Sequence, residues 1–193
     1  MSEVKNVLLA GVGGQGIILA SKILAAGLIS VGYDVKMSEV HGMAQRGGSV
    51  TTQVRFGEKV YSPIIGKGQA DILVSFEEME TLKWIDYLKP EGKVVVNQYR
   101  IPSAPILIGK TDYPEGIVED VRANVETTVV DASKLATDLG NIKTQNVVLV
   151  GALIKAMGLD SNINWESVIK ETVKERFVEI NLKAIKLGMD QIK

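Results

Sequence analysis

Apolar runs bounded by turn formers alternate along this chain with stretches whose apolar residues recur at helical spacing. The series opens with a strand over Val4 to Ala10, a helix over Gln15 to Ser30 and a second strand over Asp34 to Ser38. That order predicts a parallel core sheet. From Ser49 to Phe56 the pattern is strictly alternating, with Val50, Thr52, Val54 and Phe56 on one face. Gly57-Glu58 then predicts a hairpin into a short strand at Lys59 to Ser62, adding antiparallel strands to the sheet. Further strands are expected at Asp71 to Ser75, Lys93 to Asn97, Ile106 to Ile108 and Glu126 to Val130. A helix with an acidic start runs from Glu77 to about Leu88, Pro90-Glu91-Gly92 ends that unit, and Asp131 caps the helix after the last strand. Thr144-Gln145-Asn146 opens an apolar helix to about Met157, and amphipathic helices over Trp165 to Arg176 and Val178 to Leu187 follow. Trp84 and Trp165 read as core or interface anchors.

At 193 residues the chain suits a single α/β domain over positions 1–193. Its 22 Lys and Arg against 23 Asp and Glu leave a formal charge of -1, with no run of like charges. That balance gives no electrostatic basis for binding nucleic acid or a membrane surface, and points to small molecules or proteins as partners. No stretch reaches the roughly 18–20 apolar residues of a membrane span, and no basic, apolar leader pattern opens the chain, so the expected location is the cytoplasm. Cysteine is absent. Disulfides, thiolate zinc sites and cysteine-ligated iron-sulfur clusters are therefore excluded within this chain. His41 is the sole histidine and has no carboxylate at a recognisable spacing. Neither a metal-hydrolase constellation nor a Ser-His-Asp arrangement assembles from these residues.

The chemistry is concentrated in two glycine-rich segments. Asn6 to Gly16 reads as an apolar strand running into Gly11-Val12-Gly13-Gly14-Gln15-Gly16, with helical periodicity following at once. In this spacing Gly11 permits a tight turn, Gly13 admits a ligand backbone and Gly16 lets helix pack on strand, the layout of a phosphate cradle. Amides opening such a helix attract anions. The same glycines also serve a tight crossover that binds nothing. A dinucleotide site would further need an acid about 20 residues on, at the end of the second strand. Asp34 stands at that strand's start and Glu39 at its end, leaving Glu39 as the one plausible ribose contact.

Glu39 leads into the second segment, Val40-His41-Gly42-Met43-Ala44-Gln45-Arg46-Gly47-Gly48, which should sit beside the first turn. Arg46 could present its guanidinium fork to a phosphate or carboxylate, with the amides of Gly47 and Gly48 as an anion-binding concavity. A flexible turn with a surface arginine is the other reading. His41 either caps a carbonyl, lines a subunit contact or exchanges protons. Met43 serves either as an adaptable apolar contact or as local packing. Thr144-Gln145-Asn146 offers polar groups either to a ligand or to its own helix as caps.

Three segments in order carry a resemblance: Gly-Val-Gly-Gly-Gln-Gly from Gly11, Glu-Val-His-Gly-Met-Ala-Gln-Arg-Gly-Gly from Glu39, and Thr-Gln-Asn-Val-Val-Leu-Val-Gly-Ala from Thr144. Together they resemble the gamma-type domain of 2-oxoacid:ferredoxin oxidoreductases, over nearly the whole chain from Lys5 to about Gly188. The wording of His41 to Gly48 is most like the indolepyruvate branch, whereas pyruvate and 2-oxoglutarate relatives usually carry a tyrosine-glycine variant before Arg-Gly-Gly. The resemblance implies a Rossmann-like three-layer fold with a mostly parallel sheet, an antiparallel hairpin addition and C-terminal helices. It implies oxidative decarboxylation of an aryl pyruvate with coenzyme A, reducing ferredoxin.

The same resemblance assigns thiamine diphosphate, its Mg2+ and the iron-sulfur clusters to a large alpha subunit, leaving this chain with no firmly held cofactor and no metal site. Coenzyme A phosphates would use Gly11, Gly13, Gly14, Gln15, Gly16, Arg46, Gly47 and Gly48, while His41, Met43 and Asn146 would contact the 2-oxoacid or the partner. The alternatives are a gamma subunit of a pyruvate or 2-oxoglutarate enzyme, a free-standing Rossmann dinucleotide enzyme, and a purely structural subunit.

Overall fold

The computed structural model describes residues 4–41 and 47–192. A six-stranded sheet carries the fold. Its strands are β1 (Lys5–Val12), β2 (Asp34–His41), β3 (Ser49–Gly57), β4 (Ala70–Ser75), β5 (Leu88–Asn97) and β6 (Glu126–Val130). They lie in the order β2-β3-β1-β4-β5-β6. β1, β4, β5 and β6 run parallel, and β3 runs antiparallel to both of its neighbours.

Helices cover both faces, as a parallel core buried on two sides requires. On one face α1 (Ile17–Ser30), α6 (Gln145–Ala156), α7 (Trp165–Thr172) and α8 (Val178–Met189) bury Leu24, Leu149, Trp165 and Ile185 against Leu9, Val54 and Val74. On the other, α4 (Ile117–Asn124) brings Ile117, Val118 and Val121 against Leu8, Leu73 and Val96, with α2 (Glu78–Trp84) alongside through Met79 and Trp84. The alternation over Val50 to Phe56 behaves as expected: Val50, Val54 and Phe56 join the first core. Thr51 and Gln53 are buried on the opposite face.

α6 and α8 approach so closely that a Cβ at Gly151 would run into the Ile185 carbonyl, and one at Gly188 into the Val148 carbonyl. α1 closes onto α7 in the same way, with Gly27 under the Trp165 ring. The Trp165 indole N–H donates to the Leu159 carbonyl at 2.9 Å, so its one polar atom is satisfied inside the core.

Several expectations from the sequence are corrected. No strand forms over Lys59 to Ser62. Instead the antiparallel partner of β3 is β2, and the addition is one strand inserted between β1 and β2. The segment after Gly57 is drawn over the polar face of β3, where Arg55 donates to the Ser62 carbonyl at 3.0 Å and Gln53 accepts from the Ile65 amide at 2.6 Å.

Ile106 to Ile108 is not a strand. Pro105 lies at the start of the short helix α3 (Ala104–Leu107), where its missing N–H costs nothing. Pro90-Glu91-Gly92 does not end a unit but lies within β5, at a register shift against β4. The helix after β4 stops at Trp84, with a 3-10 turn from Ile85–Tyr87. α4 forms in a stretch to which the apolar pattern assigns no element. The helix opening at Trp165 ends at Thr172, and a 3-10 turn, Glu175–Phe177, separates it from α8. Asp131 does cap α5 (Ala132–Asp138), its carboxylate accepting from the Lys134 amide at 2.9 Å.

Candidate functional site

The sheet register sets the site. His41, Val50 and Gly11 lie in one row across β2, β3 and β1. The chain leaving β1 and the chain entering β3 therefore meet at the same edge, the carboxyl end of the parallel strands, where open α/β sheets place ligands. The two glycine segments touch there, the Gly13 amide donating to the Gly48 carbonyl at 2.9 Å.

Each residue of the first turn has an assignable role. A Cβ at Gly11 would lie 2.7 Å from the Phe76 Cβ and 2.8 Å from both Gln15 and Ile17, so glycine here is a packing requirement. Gln15 is buried, its Oε1 accepting from the Val12 amide at 2.8 Å and its Nε2 donating to the Phe76 carbonyl at 2.7 Å. Asn97 also donates to that carbonyl, at 3.1 Å, and accepts from the Ala132 amide at 3.0 Å. A buried polar line thus joins the glycine turn to β4, β5 and the start of α5.

Gly16 has φ +80° and caps α1, and a side chain there would meet Asn146 Nδ2 at 2.5 Å. Asn146 is itself buried, donating to the Gly16 carbonyl at 3.0 Å and accepting from the Val147 amide at 2.9 Å. The side chains of Gln15 and Asn146 are therefore given to the protein's own backbone. Gly14 differs: its φ is +104° and a Cβ would meet nothing within 4 Å. Its bare backbone borders a cleft of about 290 Å³ formed by Gly13, Gly14 and Gly16 with Val12, Ile17, Ile18 and Val50. No side chain caps the start of α1 and no acid lies in its first turn. The free amides of that turn keep their partial positive charge.

In the second segment, Gly47 has φ +79° with open space around it, and Gly48 makes the bond to Gly13. Met43 and Arg46 lie outside the described residues, and His41 is described only as the last residue of β2. Ser49, directly after Gly48, donates its hydroxyl to Glu80 Oε2 at 2.6 Å, and Glu80 Oε1 accepts from Lys83 at 2.6 Å. The Glu80 side chain is only 1% exposed. In the sequence Glu80 reads as one more acid at a helix start, and nothing local shows which strand it reaches.

The dinucleotide reading does not fit this sheet. Glu39 pairs with Thr52 on β3, which stands between β2 and β1. Two strand spacings, about 10 Å, separate β2 from the glycine turn in place of the single spacing a ribose contact uses. Asp34 lies at the other end of β2 opposite Gly57, accepting from the Val60 amide at 3.0 Å and from Lys36. The hydrogen bond from Lys36, then that from Val60, holds its carboxyl below the usual carboxylate range. Among the described residues no group of three His, Asp or Glu is placed to hold a metal ion, and no helix is long and apolar enough to cross a membrane.

A sequence model of the family described as pyruvate ferredoxin/flavodoxin oxidoreductase matches residues 6–191. Indolepyruvate oxidoreductase subunit IorB of Pyrococcus horikoshii is 40% identical over 195 residues, which cover 97% of this chain and 96% of that protein. 2-oxoglutarate synthase subunit KorC of Methanothermobacter thermautotrophicus is 32% identical over 199 residues, 97% of this chain and 95% of that one. Among solved structures, the gamma subunit of a keto/oxoacid ferredoxin oxidoreductase from Geobacter sulfurreducens superposes with a TM-score of 0.71 at 26% identity, covering 97% of each chain.

Proposed function

The chain belongs to the pyruvate ferredoxin/flavodoxin oxidoreductase family, and from that premise we propose that it serves an enzyme acting on aryl pyruvates, with coenzyme A phosphates held at its two glycine segments. It is a subunit of a 2-oxoacid:ferredoxin oxidoreductase that carries no cluster, having no cysteine to ligate one. The aryl pyruvate assignment is supported by the 40% identity to an indolepyruvate subunit, against 32% to a 2-oxoglutarate subunit. The reaction splits carbon dioxide from the oxoacid, passes the acyl group to the coenzyme A thiol and gives the electrons to ferredoxin. Thiamine diphosphate supplies the carbanion sink for such chemistry, and its place is a large partner subunit that also carries the clusters.

The observation that carries the coenzyme A reading is the bond from Gly13 to Gly48, which joins two amide-rich turns at one strand edge. Uncapped amides at the start of α1 attract a phosphate, the bare Gly14 lets it approach, and Arg46 adds a guanidinium to the same ligand. The isolated chain then binds and orients while the partner performs the chemistry.

A second reading draws on the walls of the cleft. Val12, Ile17, Ile18 and Val50 are apolar, and they suit an inserted side chain of the partner subunit as well as the pantetheine arm. Arg46→Ala separates the two. If coenzyme A is bound here, the assembled enzyme shows a KM for coenzyme A raised about tenfold or more, the scale of a lost charge-assisted hydrogen bond. An unchanged KM with weakened assembly supports the structural reading instead. Running the assay with indolepyruvate, phenylpyruvate, pyruvate and 2-oxoglutarate tests the substrate assignment, which fails if the aryl pyruvates are not preferred.

A further inference from the structure

We propose that Glu80, a buried carboxylate on α2, is a positioning residue that fixes the spacing between the two glycine segments. It rests on the site described above, and its own geometry is independent of which ligand that site takes. Three facts carry it. Ser49 follows Gly48 directly, and its hydroxyl donates to Glu80 Oε2 at 2.6 Å. The Gly48 carbonyl accepts from the Gly13 amide at 2.9 Å. Ser49 is also the strand partner of Val12, the residue before Gly13. The start of β3 is therefore held within the sheet by β1 and β2 and, through the Ser49 side chain, by a helix that belongs to a different crossover.

The other oxygen of Glu80 accepts from Lys83 at 2.6 Å, and the Glu80 amide donates to Glu77 Oε2 at 3.0 Å. Both ends of the Glu80 residue are thus fixed before it reaches Ser49, and the helix offers the serine a preset acceptor. Without that acceptor the Ser49 side chain no longer anchors the residue after Gly48, and the Gly48 carbonyl is free to turn away from Gly13. Carboxylates at a helix start ordinarily cap its free amides, as Glu77 does here, or answer to the helix dipole. This one is aimed across the helix at the loop junction.

The test uses Ser49→Ala, which removes the donor at a partly exposed site, and Glu80→Gln, which keeps an acceptor for the serine while dropping the Lys83 ion pair. Amide hydrogen exchange is followed at Gly13 in the full chain, and the coenzyme A KM and kcat are measured in the assembled enzyme. Ser49→Ala is expected to speed exchange at Gly13 about tenfold, the scale of one hydrogen bond to a charged group, while Glu80→Gln, a neutral acceptor no longer held by Lys83, has a smaller effect. Exchange at Gly13 that is unchanged in Ser49→Ala overturns the proposal. Faster exchange with an unchanged KM upholds Glu80 as a positioning residue and counts against the coenzyme A reading. Faster exchange with a raised KM and steady kcat upholds both.

Discussion

Gly151 and Gly188 stand at one crossing of α6 and α8, each placed where the other helix's backbone leaves no room for a Cβ. The obstacle is a main-chain carbonyl in both directions, which no change of rotamer relieves. Gly188→Ala is therefore expected to push the two helices apart and lower stability by about 1–3 kcal/mol, the range for overpacking a well-filled core. Urea denaturation followed by circular dichroism reads the shift, and an unchanged midpoint would show that α8 can slide without loss.

Gly14 and Gly16 separate conformation from crowding. Both have positive φ, but only Gly16 has a side chain pressed against it. Gly14→Ala should cost about 1–2 kcal/mol from backbone strain alone, and Gly16→Ala more, because Asn146 must also give up its bond to the Gly16 carbonyl. In the assembled enzyme the Gly14 variant carries the sharper functional signal, since its new methyl borders the cleft. Thermal melts of the two variants side by side check the order.

Asp34 gives the acid limb of the stability curve a named contributor. Its carboxyl is held below the ordinary carboxylate range chiefly by Lys36 and then by the Val60 amide. A group depressed on folding adds stability above its unfolded pKa, about 3.9, and that stability drains away as pH falls through the folded value. Asp34→Asn should be less stable than wild type at neutral pH, with the difference closing below about pH 4. Denaturation midpoints taken from pH 7 to pH 2.5 would show the two curves converging; parallel curves would remove Asp34 from the account.

The excursion between β5 and α4 hangs on a buried acid. Glu77, 1% exposed, accepts from the Tyr113 hydroxyl and from the Ile101 amide at 3.1 Å, while Arg100 donates to Glu78 at 2.8 Å. Burial first, then the bond to Glu77, pushes the Tyr113 hydroxyl well above the usual tyrosine range. Tyr113→Phe should cost about 1–3 kcal/mol by leaving part of Glu77 without its donor. Limited proteolysis around Leu107 and Ile108, both largely exposed, should become faster, and equal rates would mean that the Ile101 and Arg100 bonds hold the segment without Tyr113.

Much of this was legible in the sequence because it is local. The glycine turn between β1 and α1, the alternation over Val50 to Phe56 and the Asp131 cap all depend on neighbours a few residues away. What was missed depends on distance. Gly57-Glu58 has the composition of a hairpin turn, yet the strand that pairs with β3 precedes it, because β2 already offers a complementary edge. Ile106 to Ile108 looks like a strand by residue type, and Pro105 with Ser103 ahead of it starts a helix instead. Glu80 is visible as an acid and its partner Ser49 as a strand residue, 31 positions apart; only the packing of α2 on the sheet joins them. At the site, Gly11 and Gly16 are demanded by packing, whereas Gly14 and Gly47 face open space and packing explains neither.

The insertion of β3 between β1 and β2 also bears on how the molecule assembles. In an ordinary β-α-β crossover the second strand pairs with the first and the unit can close on its own. Here the place beside β1 is kept for a strand that arrives later in the chain and runs the other way. Among the described strands β2 pairs with β3 alone, so it joins the sheet only through that strand, and the two form an antiparallel ribbon laid against β1. The site therefore depends on the seating of that ribbon: the register that sets β3 beside β1 is what brings the Gly48 carbonyl to the Gly13 amide.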